Sequence, residues 1–189
     1  MATRAGIFQA EFSRNGLARL DFPAAPTPAE VAPNLSSLPR PMRRWASLTR
    51  QALDAVLRGR EIRQLPPLDL SAGTDFQRRV WTELRRIPPG QTLTYAALAR
   101  KIGRPGAARA VGSACGANPI PLLIPCHRVV AANGGLGGFS GGLDWKRKLL
   151  RTEGTLPRSA NPTEGNEENE ERGDKPRRIA KGAREMLKA

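Results

Sequence analysis

Two groups of residues in this chain have types and spacing suited to chemistry. The first is Pro125-Cys126-His127-Arg128-Val129, which sets the only His of the chain beside one of its two Cys. A cysteine attacks as its thiolate, and a nearby base or positive charge lowers its pKa. His127 could be that base, and Arg128 adds positive charge. Adjacent side chains in an extended segment point to opposite sides. A direct Cys–His contact therefore needs a turn, and a bridging water relaxes the need. The imidazole also needs an orienting partner, usually a carboxylate. Residues 75–156 offer Asp75, Glu83, Asp144 and Glu153. The competing reading is a buried structural Cys beside a capping His, and the dipeptide alone leaves both open. Cys115 reads as a packed, unreactive side chain.

The second group is a run of small residues, Ala107 to Cys115. Ala107, Val111 and Ala114 make an apolar seam at helical spacing. Arg109 shares the opposite stripe with Gly112, Ser113 and Gly116. A glycine inside a helix costs about 1 kcal/mol relative to Ala, so the stripe must serve something. One reading is tight packing against another helix. Against it, an isolated Arg is costly to bury in such a face. The other reading is close approach of a nucleic acid, through shape and the minor groove rather than long base-reading side chains.

The elements that must hold these groups follow from periodicity. Residues 5–22 predict a β-hairpin, with Phe8, Ala10, Phe12 and Ala18, Leu20, Phe22 alternating around the Asn15-Gly16 turn signal. Six Pro make residues 23–41 a loop or extended connection. Met42, Trp45, Leu48, Ala52 and Val56 predict a helix that Gly59 stops. Pro66-Pro67 and Gly73 break the chain. Thr74 with Gln77 forms a capping box for a helix carrying Phe76, Val80, Trp81, Leu84 and Ile87. Thr94 caps a helix through Ile102, and Pro105-Gly106 turns into the small-residue helix, so the pair resembles a helix-turn-helix. Ile120–Ile124 is a short apolar run. Six Gly fall within 134–142, and a last helix covers about Asp144–Glu153. Residues 157–189 lack apolar periodicity and read as a disordered charged tail.

Composition narrows the function classes. The chain has 189 residues, 31 Lys/Arg against 17 Asp/Glu, and a formal net charge of +14. Residues 75–156 carry 13 basic and four acidic side chains, and the tail is close to neutral. An excess of that size favours polyanions, and a solvated Arg-rich surface is the plainer alternative. With one His and two Cys, a four-ligand Cys/His zinc site cannot form within one chain. No apolar run is long enough to span a membrane, and the first twenty residues do not read as a signal peptide. The expected setting is cytoplasmic, or nuclear in a eukaryote.

Taken together, these residues resemble the O6-alkylguanine-DNA alkyltransferase family, the methylated-DNA–protein-cysteine methyltransferases. The resemblance is carried by Pro125-Cys126-His127-Arg128-Val129, Phe139-Ser140-Gly141-Gly142, Glu153-Gly154, Ala107–Gly112 and Asn118-Pro119. It is specific over about 75–154, looser over 5–60, and does not cover the tail. It implies an α/β (α+β) fold. Residues 1–74 would form an N-terminal ribonuclease-H-like α/β domain with its Pro-rich loop. Residues 75–156 would form a helical, winged-helix-like domain that binds DNA and carries the catalytic site.

The resemblance also implies roles. Cys126 would accept the alkyl group of O6-alkylguanine, His127 would act on it through a water, and Glu153 would orient His127. Asn118 would brace the turn carrying the active-site segment. Tyr95 would touch the flipped base and the adjacent phosphate, and Arg109 would fill the gap left in the stack. Ser140 and the backbone carbonyls of Cys126 and Val129 would line the guanine pocket, with Gly112 and Ser113 on the DNA-facing stripe. A base in a duplex must be flipped out to be reached. The thioether product has no evident route of reversal, so one turnover per molecule is expected; whether O4-alkylthymine is a secondary substrate stays open. The expected partner is double-stranded DNA carrying the lesion, with no membrane, cofactor or metal, and the protein a monomer. Cooperative binding along DNA stays open.

Two departures from the family pattern stand out. Phe139 occupies a place where many relatives carry Tyr. Residues 1–74 contain no Cys or His, so the zinc site of some relatives is missing. Two other classes compete with alkyl transfer. A lesion sensor would bind without transferring, and a Cys-His thiol hydrolase or redox enzyme would turn over on a small substrate.

Overall fold

The computed structural model describes residues 1–23 and 39–157. The expectations for most of the Pro-rich connection and for the tail lie outside the described residues. Helices and small two-stranded sheets make up the rest, an α/β arrangement.

The chain begins with short antiparallel strands β1 (Ala2–Thr3) and β2 (Gly6–Ile7). The predicted hairpin follows as β3 (Gln9–Ser13) and β4 (Gly16–Asp21). Its turn is one residue earlier than the Asn-Gly signal suggests. Gly16 already pairs with Ser13, which leaves Arg14-Asn15 as the loop. Glycine is needed at 16 for another reason: φ is +143°, and a Cβ there would sit 2.2 Å from the Pro67 carbonyl oxygen. That close approach lets Leu17 exchange backbone hydrogen bonds with Pro67 and Asp69. A register shift at Glu11/Phe12 replaces the expected plain alternation, and Leu17 joins Leu20 in the core, whereas Ala18 is only partly buried.

Helix α1 (Arg40–Val56) starts inside the segment read as a loop. Pro39 is its N-cap and Pro41 lies in its first turn, where a missing N–H costs nothing. Its buried face is Ala46, Thr49, Ala52, Leu53 and Val56. Met42, Trp45 and Leu48 lie to one side of it, Trp45 against Phe12 with centroids 6.4 Å apart. Small residues allow close packing on the hairpin, and Thr49 satisfies its hydroxyl on the Trp45 carbonyl at 2.8 Å.

Helix α2 (Asp75–Leu84) has the predicted Thr74–Gln77 capping box and buries Val80, Trp81 and Leu84. Strand β5 (Leu93–Thr94) leads into α3 (Tyr95–Lys101), which Thr94 caps. Helix α4 (Ala108–Gly116) packs on α2 and α3. The Trp81 indole N–H donates to the Ala114 carbonyl at 2.8 Å, tying α2 to α4. Strand β6 (Val129–Val130) pairs in parallel with β5, and α5 (Leu143–Thr152) closes the described chain. One apolar cluster joins Phe8, Leu17 and Leu53 to Leu84, Leu98 and Leu149, drawing on both sides of residue 74.

Candidate active site and DNA-facing cavity

Helix α4 settles which face is which. Val111, Ala114 and Cys115 are buried, whereas Arg109, Ser113 and Gly116 are exposed and Gly112 is partly so. A Cβ at Gly116 would meet nothing within 4 Å, and one at Gly112 would only touch Tyr95. The small residues are therefore not filling a helix–helix contact. They border a cavity of about 620 Å³. Buried Cys115 and Cys126 form its floor, Tyr95, Gly112 and Phe139 its sides, and exposed Arg109 and Ser140 its mouth.

The Cys-His segment is not extended. Cys126–Arg128 forms a 3-10 turn, because the preceding residues 120–125 fold back on themselves rather than running as a strand. Leu122 takes φ +71°, unusual for a branched side chain. Asn118 holds that loop from inside. Its side-chain oxygen accepts from the Ile120 N–H at 3.1 Å. Its Nδ2 donates to the Ile124 carbonyl at 2.8 Å and to Cys126 Sγ at 3.1 Å. Cys126 is 3% exposed. Burial pushes its thiol pKa up, opposed by the Asn118 hydrogen bond and by Lys146. Cys115 is pushed up to about 12, again by burial first, so burial keeps it a thiol although it lines the same cavity.

Of the four carboxylates in reach by sequence, Glu153 is the one that meets His127. Nε2 lies 3.0 Å from Glu153 Oε1, and both side chains are buried. Burial lowers the His127 pKa, with Glu153 opposing. The imidazole is thus neutral, with Nε2–H donating to the carboxylate. Nδ1 is left as an acceptor, buried and without a hydrogen-bond partner among the described residues. Glu153 is held down to about 2 against the effect of burial by its hydrogen bonds to His127 and Arg128. The Arg128 Nε and Nη2 donate to the same carboxylate at 3.0 and 2.7 Å, and its Nη1 donates to the Ile87 carbonyl. Arg128 is 6% exposed and braces Glu153 from behind; it does not face Cys126 as extra positive charge.

The sequence model of the 6-O-methylguanine DNA methyltransferase DNA-binding domain matches residues 75–155. A methylated-DNA–protein-cysteine methyltransferase of Salmonella typhimurium is 58% identical over 86 residues, 46% of this chain and 50% of that protein. The Mycobacterium tuberculosis OGT solved in complex with DNA is 37% identical, with a TM-score of 0.67, and the match covers 82% of this chain and 91% of that one. The chain belongs to the O6-alkylguanine-DNA alkyltransferase family. Its match spans about half the length of the curated alkyltransferases. An O6-methylguanine DNA methyltransferase from Methanococcus jannaschii aligns over 87% of this chain and 98% of its own, at 28% identity and a TM-score of 0.58.

Two features of the site have no signal in the sequence motifs. Lys146 is fully buried, and its Nζ donates to the Val129 carbonyl at 2.6 Å and to Gly138 at 3.2 Å. It sits three and four residues before Leu149 and Leu150, on their buried stripe, which is the signal that could have exposed it. Val129, expected to line the pocket, is fully buried, does not line the cavity, and has its carbonyl taken by Lys146. The second feature is the grip of the N-terminal hairpin on the glycine-rich loop. Phe22 packs on Phe139 with centroids 5.4 Å apart, and a Cβ at Gly141 would meet the Phe22 ring at 2.5 Å.

Proposed function

We propose that this chain repairs O6-alkylguanine in duplex DNA by moving the alkyl group onto Cys126. The observation that carries the reading is one cavity with a buried cysteine at its floor and an exposed arginine at its mouth. The damaged nucleotide is flipped into the cavity, and the stripe of small residues lets the DNA backbone approach α4 closely. Arg109 fills the gap left in the base stack. A water between His127 Nδ1 and Cys126 Sγ carries the thiol proton to the imidazole. The Glu153 carboxylate stabilises the imidazolium that forms. Sulfur then attacks the alkyl carbon, a C–S bond forms and the C–O6 bond breaks. Hydrogen bonds from Tyr95 and the Ser140 region stabilise the departing guanine anion. The thioether product leaves Cys126 spent after one event.

Residues 1–74 correspond to a ribonuclease-H-like part, and α3–α4 with β5–β6 to a winged helix-turn-helix within 75–156. The protein acts as a cytoplasmic monomer on lesion-bearing duplex. Intact-mass measurement after incubation with an O6-methylguanine duplex tests the reading. One methyl group per molecule on Cys126, and none on a Cys126→Ser variant that still binds DNA, is expected. Binding without an adduct would instead make the protein a sensor.

A further inference from the structure

The Phe139 wall of the Cys126 cavity has a second layer behind it. Phe139 is carried by residues 134–142, a segment with six glycines and neither helix nor strand. Near the cavity, the Gly142 N–H donates to the Phe139 carbonyl at 3.0 Å, and Lys146 Nζ donates to the Gly138 carbonyl at 3.2 Å. These bonds hold backbone and leave the Phe139 ring to packing.

Phe22 supplies that packing. Its ring centroid is 5.4 Å from that of Phe139, edge to face at 74°. Phe22 is backed in turn by Trp145 at 5.2 Å and by the fully buried Phe8 at 5.9 Å. It does not line the cavity, so it bears on Phe139 from outside. It follows directly on β4, where buried Leu20 donates its N–H to the Pro119 carbonyl at 2.9 Å. The support is thereby tied to the segment that Asn118 braces beneath Cys126.

Gly141 answers to the same ring. Its φ lies outside the left-handed region, so its own backbone does not call for glycine. A Cβ there would fall 2.5 to 2.7 Å from three atoms of the Phe22 ring. Core packing alone is the plainer role for Phe22. Yet Phe22 is only partly buried, and the two loop residues it touches flank Ser140 at the cavity mouth.

We propose that Phe22 is a positioning residue that limits the size of alkyl group the cavity accepts, by holding Phe139 and the Gly141 backbone in place. The inference rests on the reading of alkyl transfer to Cys126 and extends it to a specificity role for the N-terminal part. With Phe22 shortened, Phe139 moves back into the vacated space. A bulky group then gains room, whereas a methyl group gains nothing.

The test compares the full parent chain with Phe22→Ala on two duplexes of one sequence, carrying O6-methylguanine or O6-benzylguanine. The rate of adduct formation on Cys126 is read by intact mass. The benzyl-to-methyl rate ratio is expected to rise roughly 10-fold, the low end of what one methylene decides in an apolar pocket. Phe22→Leu keeps part of the apolar bulk, so its ratio should fall between the two, and it serves as the test if Phe22→Ala does not fold. A merely structural role would lower the melting temperature and leave the ratio unchanged, which would overturn the proposal. Gly141→Ala gives an independent readout. It should slow both transfers in the parent, where Cβ and ring compete for one space, and have little effect in the Phe22→Ala chain. Equal slowing in both backgrounds would also overturn the proposal. No adduct in the parent would sink the repair reading and this role with it. An unchanged ratio beside normal methyl transfer sinks the Phe22 role alone.

Discussion

The Asn118 amide nitrogen lies 3.1 Å from the Cys126 sulfur and donates to it. The same side chain fastens the Ile120 N–H and the Ile124 carbonyl, so it fixes Cys126 and the loop beneath it together. A hydrogen bond to a group that becomes charged contributes about 1.5–3 kcal/mol. Asn118→Ala should therefore slow methyl transfer by roughly 10–150-fold, read as the rate of adduct formation, and lower the melting temperature as well. A variant transferring at the parent rate would show that the sulfur needs no donor.

Cys126 in the free protein should be a poor nucleophile. It is 3% exposed and burial holds it as a thiol. Iodoacetamide at neutral pH should modify it more slowly than a free cysteine, while an O6-methylguanine duplex consumes it stoichiometrically. Rapid labelling by iodoacetamide would mean that the thiolate exists before the base arrives.

Removing the Glu153 charge has two consequences. Glu153→Gln leaves Arg128 buried without its carboxylate, and breaking a buried pair costs about 3–5 kcal/mol. It also frees His127 from its orientation. Chemical denaturation should show the stability loss, and adduct formation should fall further than Arg128→Lys reduces it.

The pH dependence has a definite sign. Glu153 is held at about 2 in the folded protein against 4.5. The stability it contributes, about 3 kcal/mol, is complete above pH 4.5 and is lost as pH falls toward 2. His127 is lowered by burial, so the unfolded chain binds its proton first. Stability should begin to fall below about pH 6.5 through His127, and fall again below 4.5 through Glu153. Transfer depends on the folded protein, so it should persist to lower pH and weaken only as the buried His127 takes up its proton below the ordinary imidazole range. A flat stability profile from pH 7 to 4 would contradict the buried pair.

Arg109 is exposed at the mouth of the cavity and touches neither the His–Glu pair nor the thiol. Stacking contributions of about 1–3 kcal/mol per base predict that Arg109→Ala slows transfer from duplex by roughly 5–150-fold. Transfer from free O6-benzylguanine, which needs no flipping, should be almost unaffected. Equal losses on both substrates would place Arg109 in the chemistry instead.

Local signals in the chain were enough for the capping box at Thr74, the helix that Thr94 starts, the seam of α4 and the Cys-His dipeptide. Each depends on residues within a few positions of one another, where backbone preference and side-chain spacing decide the outcome. The pairing of His127 with Glu153, one carboxylate among four, had no local signal in the residues themselves. It arises because α5 ends beside the 3-10 turn, a contact across 26 positions. The two-residue strands β5 and β6, which set Tyr95 near the active-site segment, are too short to show any period. Lys146 carries a charge that reads as solvent-facing, and only the carbonyls of Val129 and Gly138, brought to it by the fold, allow it to be buried. The sequence alone thus determined the candidate reacting groups and most of the elements that carry them. Tertiary structure decided which neighbours hold those atoms, because burial and long-range hydrogen bonds are properties of packed elements and not of any single stretch of chain.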